Sequence, residues 1–375
     1  MKIKITAIII LIVIAFGFTK VINSDNSGSA TASLGAPGVI ESNFLDGSLT
    51  EKIKTEDCTL TNGEKATCYR ITITGQPVDT TIGPFCPTTT SSSAEDSGIW
   101  LDGTNVYDAD GQFILDLSEI YEDAEWKLYD DNGNVNVTDT EEGFLGAAKP
   151  DVEEAYKYHC VEGKFEWTTT GKPVPISVLI PVDPVSDSSV NTTQGKDLGV
   201  TLNGVVIAAS APVDAILGAY TIAAFDDCGG HFNPFEGYHM HAFTNCEGAS
   251  YGSQIDNPNA ETKIIGYALD GVAVFAPLDH DSTIELDECN GRTTKKDGYH
   301  YYAQSPETNR IVKCFKGLTA IDESADNQLG QPEQPIGMLP PPGSSVFIYG
   351  IAGISFLIAI AGIFIYRARK QNLSN

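Results

Sequence analysis

One short phrase occurs twice in this chain, at residues 226–241 and again at residues 287–302. The two copies align without a gap, 61 positions apart, so that Cys228 matches Cys289 and His239 matches His300. Four of the six histidines in the 375 residues lie inside these copies. A repeat of this kind predicts two units with the same local structure, and it places most of the imidazole groups in them.

The repeat continues upstream of the cysteines. Residues 202–207 have a counterpart in residues 269–274, although the loop to the following cysteine differs in length. We therefore predict an internal duplication with halves at 198–260 and 264–320. Such halves commonly pack about a pseudo-twofold axis, and we expect equivalent segments to lie near one another.

Strand signals dominate the sequence between the two ends. Short alternating or β-branched runs occur throughout, and 36 glycines and 19 prolines separate them. The predicted strands include residues 69–74, 111–115, 165–168, 176–180 and 205–207. Short helices are expected only near residues 151–159 and 212–219. The predicted fold class is mostly β with few short helices: a disulfide-stapled, β-rich ectodomain with an internal duplication, plus one C-terminal transmembrane helix.

The N-terminal segment is typical of an exported protein. Lys2 and Lys4 precede an apolar run, which predicts a signal peptide at residues 1–23, with an uncleaved anchor as the alternative. A polar linker is expected at 24–39, followed by the ectodomain at 40–321.

The C-terminal segment has the pattern of a membrane anchor. Residues 322–345 are rich in proline and acidic residues and predict a stalk. Residues 346–366 carry no charge and are long enough to cross a bilayer as a helix. Basic residues follow in the tail, 367–375, which places it in the cytoplasm. We expect a single-pass protein of the cell membrane with its ectodomain outside.

Eight cysteines in an exported chain predict disulfide bonds. Spacing favours three pairs that each close a local loop, and the fourth pair remains by elimination. The predicted pairs are Cys58–Cys68, Cys228–Cys246, Cys289–Cys314 and Cys86–Cys160.

The formal net charge of −27 limits the choice of partner. A chain this acidic is repelled by phosphate backbones, which excludes nucleic acid as its main partner. An unknown extracellular ligand remains open.

The first copy of the phrase predicts a metal site. His239 and His241 are two positions apart on a predicted strand and would share one face. A tight turn after Cys228 would bring His231 beside them, and three imidazoles are a common ligand set for Zn, Cu or Fe. Asp226 and Asp227 are candidates for orienting a ring N–H from behind.

The second copy keeps one histidine of the three. His300 is a candidate fourth ligand, while Arg292 and Tyr302 stand where the first copy has histidines and are candidates for binding an anionic group. Tyr238 and Tyr299 complete the set of candidate ligand-binding or supporting residues, although strand alternation turns them away from the histidines beside them.

The sequence resembles the YHYH-domain family, named after a Tyr-His-Tyr-His motif. The resemblance rests on segments 203–205, 228–231, 238–241, 270–271, 286–292 and 314–317, with weaker likeness at 75–87 and 180–182. Neither copy has the full motif, because Met240 replaces the second tyrosine and Tyr302 the last histidine. The resemblance implies an exported or surface protein and no established activity.

Three classes of function therefore remain. The first is a cell-surface module that binds a divalent transition metal through its histidines. The second is a metal-dependent extracellular enzyme, a hydrolase or oxidase, although no nucleophile elbow or HExxH helix supports it. The third is a structural or adhesive domain in which buried histidine and tyrosine only hydrogen-bond one another.

Overall fold

The structure of the chain is a computed structural model that describes residues 32–149, 151–192, 197–244, 246, 263–280 and 282–322. The predicted signal peptide, membrane helix and cytoplasmic tail lie outside these residues, as does all but the first residue of the predicted stalk. Among the helices that the structure does describe, none has the length and apolar character needed to span a bilayer.

Seventeen strands and three short α-helices make up the described part of the chain. The strands are β1 Lys54–Thr59, β2 Lys65–Ile73, β3 Ile99–Leu101, β4 Val106–Asp108, β5 Cys160–Val161, β6 Ile176–Pro181, β7 Ser186–Thr192, β8 Gly199–Thr201, β9 Val206–Ile207, β10 Ile222–Ala223, β11 Gly230–Asn233, β12 Gly237–Met240, β13 Ile264–Ala268, β14 Ala273–Phe275, β15 Gly291–Thr294, β16 Gly298–Tyr302 and β17 Cys314–Gly317. The helices are α1 Gly111–Ile120, α2 Glu141–Ala147 and α3 Val213–Gly218. The mostly-β prediction is confirmed.

An eight-stranded mixed sheet contains both copies of the repeated phrase. Its strand order is β11-β12-β9-β8-β13-β14-β16-β15. Strands β8, β9, β11 and β12 of the first copy correspond in order and pairing to β13, β14, β15 and β16 of the second. The antiparallel pair β8–β13 joins the copies at the centre of the sheet. One continuous sheet therefore carries the same four-stranded unit twice.

This arrangement separates the two copies of the motif. Strand β12 is second from one edge of the sheet and β16 is second from the other. The expectation that equivalent segments lie near one another therefore holds for β8 and β13, which are paired. It does not hold for the repeated phrases, because the copies extend in opposite directions from this pair.

The sheet has an apolar core on each face. A three-stranded sheet, β1-β2-β6, packs against one face through Ile71, Ile73 and Ile180, which meet residues such as Val200 and Phe275. The larger core, on the other face, gathers side chains from α1, α2 and the loops between them. Alternation along β12 therefore decides which of its side chains join this core.

Four disulfides join the pairs expected from spacing. Cys58–Cys68 links the adjacent strands β1 and β2. Cys228–Cys246 and Cys289–Cys314 each close a loop around one copy of the phrase. The pairing predictions are confirmed.

Two local predictions are wrong. Residues 111–115 belong to α1, because the Asp110 carboxylate accepts a hydrogen bond from the Phe113 N–H at 2.8 Å and so caps a helix. Residues 165–167 form a 3-10 turn and not a strand.

The linker predicted at 24–39 is wrong in its last eight residues, 32–39, which join the fold. The Leu34 N–H donates to the Pro184 carbonyl at 3.0 Å, and the Tyr299 N–H donates to the Gly35 carbonyl at 3.2 Å. This segment is therefore held against the second copy.

Candidate metal centre

A β-hairpin of strands β11 and β12 carries His231 and His239 of the first copy, and His241 follows directly after β12. His231 lies directly opposite His239 in the antiparallel register. The Asn233 side chain closes the turn by accepting hydrogen bonds from the Phe235 and Glu236 N–H groups at 2.9 and 2.7 Å. The hairpin thus fixes two of the three imidazoles across one pair of strands.

Glycines allow the chain to return close to the end of this hairpin. Gly229 has a φ of +87°, and its carbonyl accepts a hydrogen bond from the His241 N–H at 2.9 Å. A Cβ atom at Gly230 would lie 2.3 Å from the Tyr238 hydroxyl. Position 230 therefore requires glycine. The left-handed conformation at position 229 favours glycine, and in the second copy Asn290 adopts it with a φ of +61°.

The three imidazole rings form a nearly equilateral cluster. Each pair among His231, His239 and His241 has a ring-centroid distance of 4.9 Å. One ligand atom from each ring lies within 4.8 Å of the others. Tyr238 and Met240, which alternate with the histidines along β12, enter the larger core instead. The sequence prediction correctly identified these three residues as a group.

The spacing of the nitrogens suits a metal ion after a small contraction. A point equidistant from three atoms that are at most 4.8 Å apart lies no more than about 2.8 Å from each, whereas a zinc–imidazole bond is about 2.0–2.1 Å long. Each ring would therefore need to move by less than about 1 Å. Three neutral imidazoles are a donor set that zinc, copper and iron all accept.

The environment keeps the imidazoles neutral. Burial, together with the neighbouring His239, lowers the pKa of His231 well below its ordinary value. Burial and the two other rings do the same for the pKa of His241. Burial also lowers the pKa of His239, although the Glu236 carboxylate acts in the opposite direction. A neutral ring offers a lone pair to a metal without first losing a proton.

Hydrogen bonding selects the tautomer of His239. Its Nδ1 lies 3.0 Å from the Gly237 carbonyl, which can only accept, and 3.4 Å from the Asn233 Nδ2, which can only donate. The shorter contact assigns the proton to Nδ1. This leaves Nε2 as the unprotonated nitrogen. A backbone carbonyl holding one ring nitrogen while the other faces the metal is a common arrangement at metal sites.

His241 is buried without a hydrogen-bond partner. Neither of its ring nitrogens has one, and among the described residues only Asp297 shares the property of a buried, unpaired side-chain polar atom. The Ala209 backbone raises the pKa of His241 weakly, but it does not reach hydrogen-bonding geometry. Leaving a buried polar group unpaired typically costs about 1–3 kcal/mol, so this ring is better explained by a ligand than by packing.

In the second copy, both ring nitrogens of His300 have hydrogen-bond partners from the same copy. His300 Nδ1 donates to the Gly298 carbonyl at 3.0 Å, as His239 does to Gly237. His300 Nε2, however, bonds the Tyr302 hydroxyl at 3.2 Å, and this tyrosine occupies the position of His241. His300 is also far from the cluster, on the other arm of the sheet. The prediction that His300 adds a fourth ligand is therefore wrong.

Asp226 supports the hairpin and does not orient a ring. Its Oδ1 accepts hydrogen bonds from the Cys228 and Gly230 N–H groups, both at 3.1 Å. Its Oδ2 accepts the Tyr238 hydroxyl at 2.7 Å and the Gly83 N–H at 3.3 Å. The carboxylate thus connects the turn to the Tyr238 hydroxyl, an arrangement we call the aspartate–tyrosine latch. The predicted contact with an imidazole N–H is wrong.

The same latch occurs in the second copy. The Asp287 carboxylate accepts the Cys289 and Gly291 N–H groups at 2.9 and 2.8 Å, and the Tyr299 hydroxyl at 2.8 Å. Tyr238 and Tyr299 are therefore structural partners of an aspartate in each copy. The acidic residue and the tyrosine recur in the repeat because they hold each hairpin in place.

The remaining predicted site residues lie away from the cluster. Asp227 is exposed, in contrast to its neighbour. Arg292 lies opposite His300 on the edge strand β15, so Arg292 and Tyr302 belong to the second copy and not to the histidine cluster.

A cavity of about 310 Å³ opens beside the three histidines, which form part of its wall. Most of the other wall residues are small and apolar, and three carboxylic acids, Glu162, Asp197 and Glu236, also line it. A metal held by the cluster would therefore adjoin this cavity.

Sequence analysis missed these three acids. Glu162 and Asp197 come from segments outside the repeated phrase, and no spacing connects them with the histidines. Glu236 lies within the phrase, in the hairpin turn, where an acidic residue at the equivalent position, Asp297, was a signal that went unused.

The family described as YHYH protein matches residues 177–285 of the chain. This match confirms the resemblance for a segment that contains the whole histidine cluster and ends before the second copy of the phrase. No curated protein and no solved structure matches the chain.

Proposed function

We propose that this protein binds one divalent transition-metal ion, Zn, Cu or Fe, through His231, His239 and His241. The observation that carries the proposal is the buried His241 ring, whose two nitrogens have no hydrogen-bond partner. A bound ion would pair one of them, and the other two rings converge on the same point. The second copy supports this reasoning, because its retained histidine is fully paired where the third imidazole is absent.

The test is metal analysis of the purified, refolded protein after exposure to each ion and removal of excess. We expect about one ion per chain in the wild type and almost none in a His239→Ala/His241→Ala variant. His300→Ala is the matched control, because it removes an equally buried histidine from the equivalent strand, and it should retain the ion. Equal metal content in the wild type and the double variant would refute the proposal.

We also propose that the protein is exported and anchored in the cell membrane by one C-terminal helix, with its tail in the cytoplasm. Four disulfides support an oxidising compartment for the folded part. The apolar, uncharged residues 346–366 and the basic residues after them support the anchor. Alkaline carbonate extraction of membranes, compared with a chain ending at residue 345, tests the anchor.

A metal-dependent enzyme is the second candidate. The observation that favours it is the cavity beside the cluster, since a site that only stores an ion has no need for a cavity next to it. Three histidines with one open position are also the ligand arrangement of several catalytic zinc sites.

A further inference from the structure

The cavity beside the histidines has the size and lining of a chamber for a small organic molecule. Its volume of about 310 Å³ is at the lower end of the range of ligand pockets. Alanine side chains form much of its wall, among them Ala208, Ala209, Ala211 and Ala223. Such a wall holds an apolar body by contact and makes few hydrogen bonds with it.

The charged groups of the wall disfavour negative charge away from the metal. Glu162, Asp197 and Glu236 contribute three carboxylic acids, whereas the one lysine, Lys149, pairs with Glu153 at 2.7 Å. Among the described residues, the charged group that acts on the Asp197 carboxyl is Glu236, which has the same sign. An anionic group placed among these acids would meet like charge in a poorly solvated space.

The electrostatic state of Asp197 agrees with this picture. Burial and then the nearby Glu236 raise the pKa of the Asp197 carboxyl to about 7. The group is therefore charged under mildly alkaline conditions and repels a second negative charge there.

We propose that the chamber binds a small organic molecule without negative charge, which gives one nitrogen or oxygen donor atom to the open position of the metal and packs its apolar body against the alanine wall. The inference rests on the proposed metal site. Molecules with a negative charge far from the donor atom fit less well, because that charge meets the three acids of the wall.

Two pyridines test the charge selectivity on the Co²⁺-loaded protein, whose visible absorption reports a new ligand on the metal. 4-Propylpyridine and pyridine-4-carboxylate present the same donor nitrogen and differ in the group at the far end. Under mildly alkaline conditions we expect both pyridines to be followed by the shift of the Co²⁺ bands. The Kd of 4-propylpyridine should be lower than that of pyridine-4-carboxylate by a factor on the order of ten.

Two variants connect this binding with the chamber. Ala215→Phe places a phenyl ring on an exposed residue of α3 that lines the chamber. It should weaken the binding of 4-propylpyridine by a factor on the order of ten. Ala94→Phe adds the same ring to an exposed turn outside the chamber and should change nothing. Asp197→Asn should strengthen binding of pyridine-4-carboxylate and leave 4-propylpyridine unchanged.

Metal loading is measured first, so that the two proposals fail separately. A wild type that takes up no Co²⁺ refutes the metal site and the chamber with it. A loaded protein that binds the two pyridines equally, fails to respond to either, or is indifferent to Ala215→Phe refutes the chamber alone.

Discussion

At the scale of single residues, the two copies differ in how they treat a buried imidazole. His239 and His300 each give their Nδ1 proton to the carbonyl of a glycine two positions earlier. The other nitrogen of His300 finds the Tyr302 hydroxyl, whereas the first copy has His241 in that position. One tyrosine thus completes a hydrogen-bonded pair, and one histidine leaves nitrogens available to an ion.

This difference predicts opposite effects of two similar substitutions. His241→Phe removes two unpaired nitrogens and keeps a ring, so it should raise the free energy of unfolding of the metal-free protein by about 1–2 kcal/mol. His300→Phe breaks the bonds to Gly298 and Tyr302 and should lower it by a similar amount. Urea unfolding in the presence of a chelator measures both.

Adding metal should make the wild type more stable than His241→Phe. The wild type should gain stability because the ion binds only the folded state, and His241→Phe should gain none. A loss of metal-free stability in His241→Phe as large as that in His300→Phe would contradict the role given to the unpaired ring.

Asp270 provides a pH-dependent prediction in the second copy. The buried carboxylate accepts the Tyr301 hydroxyl at 2.7 Å and the Gly317 N–H at 3.0 Å, yet burial still raises its pKa to about 6. Between the unfolded pKa of 3.8 and this value, the folded state holds a proton that the unfolded state has lost. Stability from this group is therefore complete below about pH 4 and falls as the pH rises to about 6.

Asp270→Asn removes this titration. Relative to the variant, the wild type should lose about 3 kcal/mol of unfolding free energy between about pH 4 and pH 7. Comparing the two proteins cancels the histidines, whose lowered pKa values act in the opposite direction over part of this range. A difference that stays constant with pH would show that Asp270 does not titrate in this window.

At the scale of elements, the repeated unit is a hairpin, an aspartate–tyrosine latch and a disulfide. Cys228–Cys246 encloses all three histidines of the first copy, and Cys289–Cys314 encloses the second hairpin. Arg292 faces His300 in the same register in which His231 faces His239. The backbone of the second copy therefore presents the positions of a three-histidine site with two other side chains in them.

The second copy should accept a metal once the ligands are supplied. In the double variant Arg292→His/Tyr302→His, we expect metal content to rise from about one to about two ions per chain. Arg292→His alone is the control and should stay at about one, because Tyr302 still occupies His300 Nε2. A double variant that keeps its far-UV circular dichroism and still binds one ion would show that the copies differ in backbone as well as in side chains.

The parts of the site that were predictable from sequence are those fixed by local geometry. Alternation along one strand placed His239 and His241 on one face, and the disulfide with two glycines brought His231 back to them. The role of Asp226 was missed because an acidic side chain beside histidines looks the same whether it accepts from a ring or from backbone N–H groups.

At the scale of the whole molecule, the features that the sequence did not predict are those that depend on contacts between distant segments. Mostly-β character and the four disulfide pairs follow from composition and spacing, and both are confirmed. The separation of His300 from the cluster depends on the copies joining through β8 and β13, a non-local pairing. The cavity likewise draws Glu162 and Asp197 from distant segments, which no local pattern connects.

The hydrogen-bonded histidine of the second copy gives measurements on the first copy an internal reference. His300 has the backbone, the Nδ1 bond and the strand environment of His239, in the same molecule and the same tube. Imidazole nitrogen resonances of the two can be read side by side in one spectrum. A change that shifts the resonances of both histidines reflects the solution conditions. A change that shifts the His239 resonances alone would report ion binding at the proposed site.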